Sequence, residues 1–345
     1  MIQIVTKRKK NFIKFYIPSF NSNRASYRFR ASIPLRGMRP EDGIIKDLKE
    51  ATKDDIVVLA KKSTPKDLFY LKEKGIRCVY DICDNKWKKQ ISKGWVERVI
   101  KPHNVICANA DALVTTCPSM QELIRKFVGR DSIVIQDPVE AIREEPRIAL
   151  KSRRYLNIFT FGNSKHFNKV MWNDLIRVFT EAGLEFKIVA MMDRSKKYKK
   201  MYEDQIINGR MEVHEYDFKK QYELMKEADI VFLPVIINSN SALAHIKAKS
   251  PNRIMDAIYS GKPVITNHGV DTWMAFRRYT EFVGFARSVN YVAYANTIKM
   301  LINMPKADIS KKIIEGQNYI RDYHSPEVIG KRWIDLENKV GRTGF

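Results

Sequence analysis

Residues Ser250–Asn267 read SPNRIMDAIYSGKPVITN, and the punctuation of this stretch decides the fold class. Ser250 stands where a helix cap is expected, and Pro251 suits a first helical position because its φ is preset and no N–H is needed there. Gly261 ends the helix in the left-handed conformation, and Pro263 opens a buried strand. Working outward, strand-like and helix-like segments alternate along the whole chain, which predicts parallel α/β layers. In the first half the strands are FIKFYI (Phe12 to Ile17), DIVVLA (Asp55 to Ala60), RCVYDI (Arg77 to Ile82), DALVTTC (Asp111 to Cys117) and SIVIQ (Ser132 to Gln136). The second half repeats the rhythm with LNIFTFG, FKIVAM, MEVHEY, IVFLPVI and PVITN.

Between the halves lies DPVEAIREEPRIALKSRR, polar and broken by Pro138 and Pro146, which reads as a hinge. The expected organisation is a first domain over 1–145 and a second over 146–325. An amphipathic helix over 326–340, started by Ser325 and Pro326, is expected to pack back on the first. Doubly wound domains carry ligands at the carboxyl ends of their strands, so the cleft that two such domains face is the expected active site.

The 345 residues suffice for two domains, and 44% hydrophobic content excludes wholesale disorder. Lys and Arg total 62 against 39 Asp and Glu, a net charge of +23. That excess predicts attraction to polyanions, or else a solvated lysine-rich surface. Cys78, Cys83, Cys107 and Cys117 form no C-x-x-C pair and read as buried reduced thiols. There is no signal-peptide pattern at the start and no apolar run of membrane-spanning length. The expectation is a cytoplasmic protein, peripheral at the inner membrane face at most.

The chemistry concentrates on the Ser250–Asn267 helix. Asn252 and Asp256, four apart, share a helical face near its N-terminus. Free N–H groups and the positive dipole end suit a diphosphate there, with Ser250 beside it and Arg253 adding a fixed cation. Asp256 is placed to accept hydrogen bonds from both hydroxyls of a ribose, although Arg253 and Asp256 also suit a surface ion pair. A second loop, FGNSKHFN (Phe161 to Asn168), follows the first strand of the second half. Gly162 permits close backbone approach, and Asn163, Ser164 and Lys165 are candidate phosphate donors. His166 reads as a solvated loop histidine.

SPNRIMDAIYSGKPVITNHG resembles the nucleotide-sugar signature of GT-B glycosyltransferases, particularly glycosyltransferase family 4. Other segments agree in order: NRASYRFRASIPLRGM, VYDICDNKW, ADALVTTCPSMQELI, EADIVFLPV and DYHSPEVIGKRW. The resemblance implies two Rossmann-like domains and a retaining, metal-independent hexosyltransferase without a cofactor. Its co-substrate would be a UDP- or GDP-linked sugar. By the resemblance Asp256 binds the ribose, and Arg253, Lys165 and the Gly162 turn bind the diphosphate. The loop Asn238 to Lys249 holds the sugar. Retaining members often carry Glu eight positions before the helix carboxylate; here that place is Ala248, so the contact falls to Asn240, Ser241 or His245.

Asp81 and Asp84 fall at the expected edge of the first domain's cleft. They read either as groups that orient or deprotonate the acceptor hydroxyl or as caps of the following segment. From Met1 to Pro40 there is no acidic residue, and Arg24, Arg28, Arg30 and Arg36 are the candidate acceptor-binding cations. The charge fits a lipid-linked or surface glycan at an anionic membrane leaflet, which the resemblance favours. It also fits duplex DNA bearing a hydroxymethylated base, which needs flipping to be reached. A catalytically inactive nucleic-acid-binding protein on the same scaffold is the third reading.

Overall fold

The computed structural model describes residues 11–19, 24–87, 96–150, 155–162, 183–193, 208–234, 248–267, 270–282 and 291–340, with isolated positions between 173 and 203. The chain divides into two compact units, Met1–Pro138 with His324–Phe345, and Val139–Tyr323.

The first unit is built on a parallel six-stranded sheet. Its strands are β1 (Phe12–Tyr16), β2 (Gly43–Ile45), β3 (Asp55–Leu59), β4 (Arg77–Ile82), β5 (Ala112–Thr115) and β6 (Ile133–Val134). Their spatial order is β2-β1-β3-β4-β5-β6. Every residue of the central β3 is buried, as expected of a parallel strand covered on both faces, whose sequence then shows a continuous apolar run. The helices named below are α1 (Pro65–Glu73), α2 (Lys101–Asn109) and α3 (Pro118–Val128), with α9 (Pro326–Val340) returning from the end of the chain. Ile329, Trp333 and Leu336 of α9 join Ile13, Phe15, Val58, Val79 and Val114 in one core. The Trp333 ring meets Phe15 edge-on at 5.1 Å. A Cβ built on Gly330 would lie 2.5 Å from the Gly37 backbone, so glycine here lets α9 rest directly on the Pro34–Gly37 turn.

The second unit also holds a six-stranded parallel sheet, ordered β12-β11-β10-β7-β8-β9. Its strands are β7 (Leu156–Gly162), β8 (Phe186–Met192), β9 (Met211–Glu215), β10 (Ile230–Leu233), β11 (Val264–Thr266) and β12 (Glu281–Phe282). Its described helices include α4 (Phe218–Glu227), α5 (Asn252–Tyr259), α6 (Val270–Phe276), α7 (Tyr291–Asn303) and α8 (Lys306–His324). Successive side chains of β7 enter opposite layers. Leu156 and Ile158 pack with Tyr294, Ile298 and Ile313, whereas Phe159 and Phe161 pack with Ile254, Ile258 and Phe276.

Ten of the strands coincide with those read from sequence. The two additional ones, β2 and β12, sit at sheet edges and are three and two residues long. The units part within the expected hinge segment, at its start. The units divide at Pro138, ahead of the boundary at 145. Val139 and Ala141 are buried in a core of the second unit, and Leu150 in its other core. Side chains that alternate between core and solvent look polar on average, which is why the segment resembled a free linker. All four cysteines are free, and burial pushes the Cys107 thiol up to about 12.

Candidate active site

In the second sheet β7 pairs with β8 on one side and β10 on the other. The order of winding therefore reverses at β7, and open α/β sheets bind ligands in the crevice outside the carboxyl ends at such a point. Two features of the Ser250–Asn267 reading meet there. β7 ends at Gly162, whose φ of 141° lies where side chains are rarely tolerated. A Cβ at Gly162 would lie 2.7 Å from Arg253 Nη1. Arg253, on the first turn of α5, donates from Nη1 to the Phe161 carbonyl at 2.9 Å. Loss of hydration pushes its guanidinium down to about 10, leaving it charged at neutral pH. Glycine at 162 is what allows a cation to lie flat against the end of the strand.

Asp256, one turn further along α5, is 3% exposed. Its Oδ1 accepts from the backbone N–H groups of Glu140, at 3.1 Å, and Ala141, at 3.2 Å. Arg253 is thus tethered to the end of β7 and Asp256 to residues 140–141. Asn252 begins the helix, but the Ser250 hydroxyl does not cap it. That hydroxyl donates to the Asn252 side-chain oxygen, and the Pro251 carbonyl accepts from Ile254 and Met255. Gly261 has the expected positive φ of 72°, and a Cβ there would lie 2.6 Å from the Glu145 carbonyl. The buried Lys262 donates to the carbonyls of Lys226, at 2.7 Å, and Ala228, at 2.8 Å, closing the end of α4. Asn163, Ser164, Lys165, Asn240, Ser241 and His245 lie outside the described residues. Ala248 is buried.

The first unit corrects several assignments. Arg30, read as an acceptor-binding cation, is 3% exposed. Its guanidinium donates to Asp81 from Nε at 3.0 Å and from Nη2 at 2.8 Å. From Nη1 it reaches Asp137 at 2.8 Å and the Ile135 carbonyl at 2.7 Å. Burial opposes its charge, but the attraction and hydrogen bonds of Asp81 and Asp137 outweigh that and raise its pKa. Asp81, read as a general base, is the buried counterion of this triad, with no surface to offer an acceptor. Its pKa is raised by burial against the pull of Arg30. Arg28 is buried as well, its guanidinium 5.9 Å from the Phe29 ring centre. Arg24 and Arg36 remain exposed. Asp84 forms an ion pair with Lys61, so of the two carboxylates it alone lies at the surface. Sequence showed the charges; burial depended on partners up to 107 positions away.

No family model and no curated protein matches the sequence. Solved structures do match. Anabaena HepE, in complex with UDP and glucose, superposes with a TM-score of 0.69 at 13% identity over 94% of this chain and 99% of that one. TarM superposes with a TM-score of 0.64 at 14% identity over 83% of this chain, which spans 55% of TarM's length. An E. coli trehalose-phosphate synthase bound with UDP-2-fluoro glucose gives a TM-score of 0.62 at 10% identity, covering 85% of this chain and 75% of that one. At such identities the likeness speaks to architecture, and two parallel α/β units with this strand order give the chain the GT-B fold that these glycosyltransferases share.

Proposed function

We propose that the chain is a nucleotide-sugar-dependent glycosyltransferase whose second unit holds the donor diphosphate. The observation that carries this reading is Arg253, a half-buried cation laid against Gly162 at the switch point of the second sheet. A guanidinium presents a planar fork of donors that matches the oxygens of a diphosphate. The solved structures of GT-B relatives with bound UDP support a UDP-linked donor. When the glycosidic bond to the donor breaks, negative charge grows on the departing nucleotide diphosphate. A fixed cation at the start of a helix stabilises that charge without a metal ion. Asp256, read as the ribose ligand, here also tethers residues 140–141.

The acceptor is a hydroxyl of a large anionic molecule, with a lipid-linked or surface glycan preferred. Among the described residues no helix is long and apolar enough to cross a membrane. The DNA reading rested on the same basic segment, and the burial of Arg28 and Arg30 removes two of its four named contacts. The test is thermal shift with UDP, GDP and ADP and their sugars, followed by donor hydrolysis and transfer assays in EDTA. A UDP-specific rise in Tm with EDTA-resistant turnover is expected, since a ligand of the native state stabilises it. Failure of every nucleotide to shift Tm would sink the donor site.

A further inference from the structure

Residues 140–145 carry the chain into the second unit, and they are fastened there through their backbone. Glu144 donates its N–H to the carbonyl of Tyr259, the last residue of α5, at 2.9 Å. Gln317 of α8, a buried amide, donates from Nε2 to the carbonyls of Glu144 at 2.7 Å and Tyr259 at 3.1 Å. At the near end of the segment Asp256 Oδ1 receives the N–H groups of Glu140 and Ala141. Two consecutive backbone donors converging on one oxygen are the arrangement by which a chain grips an anionic group.

The other side of the connection is held just as firmly within the first unit. Arg30 Nη1 donates to the Asp137 carboxylate at 2.8 Å, and His324 Nδ1 lies 3.1 Å from the Asp137 carbonyl. Only Pro138 and Val139 lie between Asp137 and Glu140, and the units part between those two residues. Asp256 itself is poorly placed for the ribose contact that the family resemblance implies. It is buried, flanked on α5 by the fully buried Met255 and Ala257, whereas Arg253 on the same helix is half-buried. Ribose hydroxyls drawn to Oδ1 would compete with the buried Ala141 N–H, and leaving such a donor without a partner is costly.

We propose that Asp256 is a positioning residue: it clamps residues 140–141 to the helix that carries Arg253, and it does not bind the ribose of the donor. This rests on the glycosyltransferase reading and gives Asp256 its part in it. With two residues between the anchors the connection has little slack, so motion of the first unit is delivered to α5 rather than absorbed by the chain. Asp256 thereby keeps Arg253, and the diphosphate on it, in place for transfer without touching either.

The test is amide exchange, nucleotide affinity and steady-state kinetics on the full chain with Asp256→Asn, Asp256→Ala and Gln317→Met. Asp256→Asn keeps an acceptor oxygen, and should hold kcat and the exchange of the Glu140 and Ala141 amides within about threefold of the parent. Asp256→Ala should speed that exchange about tenfold or more and lower kcat by a similar factor. Its KM for the UDP-sugar and its preference for UDP over 2′-deoxy-UDP should change less than about twofold. Gln317→Met loosens the same segment from α8, and should lower kcat roughly three- to tenfold with the preference for UDP unchanged. A preference that collapses in Asp256→Asn would return the residue to the ribose. Parent-like exchange in Asp256→Ala would remove the clamp, and an unchanged kcat in Gln317→Met would remove its part in transfer. If Asp256→Ala does not fold, the other two variants decide. Absence of UDP binding by the parent would instead sink the donor reading, while the exchange rates would still decide the clamp.

Discussion

Gly162 and Arg253 show how a side chain that is missing can matter as much as one that is present. The guanidinium occupies the space a Cβ at 162 would need, so the two positions are coupled. Arg253→Ala should cut turnover on a UDP-sugar roughly tenfold to a hundredfold, the loss of a charge-assisted hydrogen bond of about 1.5–3 kcal/mol. Gly162→Ala should reproduce much of that defect by displacing Arg253, and the double variant should be little worse than the single. Steady-state kinetics on the four proteins checks this. Additive losses would mean that the two residues act separately. Asp256 belongs to the same scale. Sequence placed it on the ligand-facing side of the helix, and the structure shows one of its oxygens receiving two backbone N–H groups.

At the scale of elements, the joints are made by close backbone approach as much as by apolar contact. α9 lies on the Pro34–Gly37 turn at a distance that only glycine at 330 and 37 permits. Within the second unit α8 approaches α5 closely at Gly316, where a Cβ would lie 2.9 Å from the Ile258 side chain. Gly330→Ala gains helix propensity of about 1 kcal/mol. It must nevertheless push α9 away from a turn whose backbone cannot yield as a flexible side chain would. The net result should be destabilisation of about 1–3 kcal/mol, with a lower urea midpoint. An unchanged or higher midpoint would show that α9 can shift without cost. The Arg30–Asp81–Asp137 triad does comparable work with charge, joining the Arg28–Ser32 turn to the end of β4 and to the residues after β6.

For the whole molecule, the useful handle is acid. His324 and His103 are buried, and burial, first among its causes, lowers His324 to about 4 and His103 to about 3. His324 Nδ1 lies 3.1 Å from the Asp137 carbonyl, and His103 Nδ1 lies 2.9 Å from the Tyr80 hydroxyl. Both imidazoles are neutral in the fold and titrate near 6.5 when unfolded. The sign follows: their stabilisation is complete above about pH 6.5 and declines as pH falls, because the unfolded chain takes up the protons first. For His324 the decline ends near pH 4 and amounts to about 3 kcal/mol. Tm measured from pH 7 to 4.5 should fall accordingly, and His324→Gln should flatten part of that slope. Identical profiles for parent and variant would exclude His324 as a source.

The α/β class and ten of the strands could be read from the chain alone. A strand buried on both faces must be apolar almost throughout, and the Pro and Gly residues that bound it are local in their effect. The Gly162 turn and the helix bearing Arg253 were legible for the same reason, since each is built from neighbours in sequence. Burial of charge was not. Arg30 and Arg36 look alike in a basic segment, yet one is sealed by Asp81 and Asp137 while the other faces solvent. Residues 139–150 looked like a linker until β7 and α5 provided the surfaces that bury Val139, Ala141 and Leu150. The pairing of Lys61 with Asp84 likewise required β3 and β4 to lie side by side. Local chemistry chose the elements. Which charges face water was decided only by residues distant in sequence, because desolvation depends on everything packed around a group and not on its neighbours along the chain.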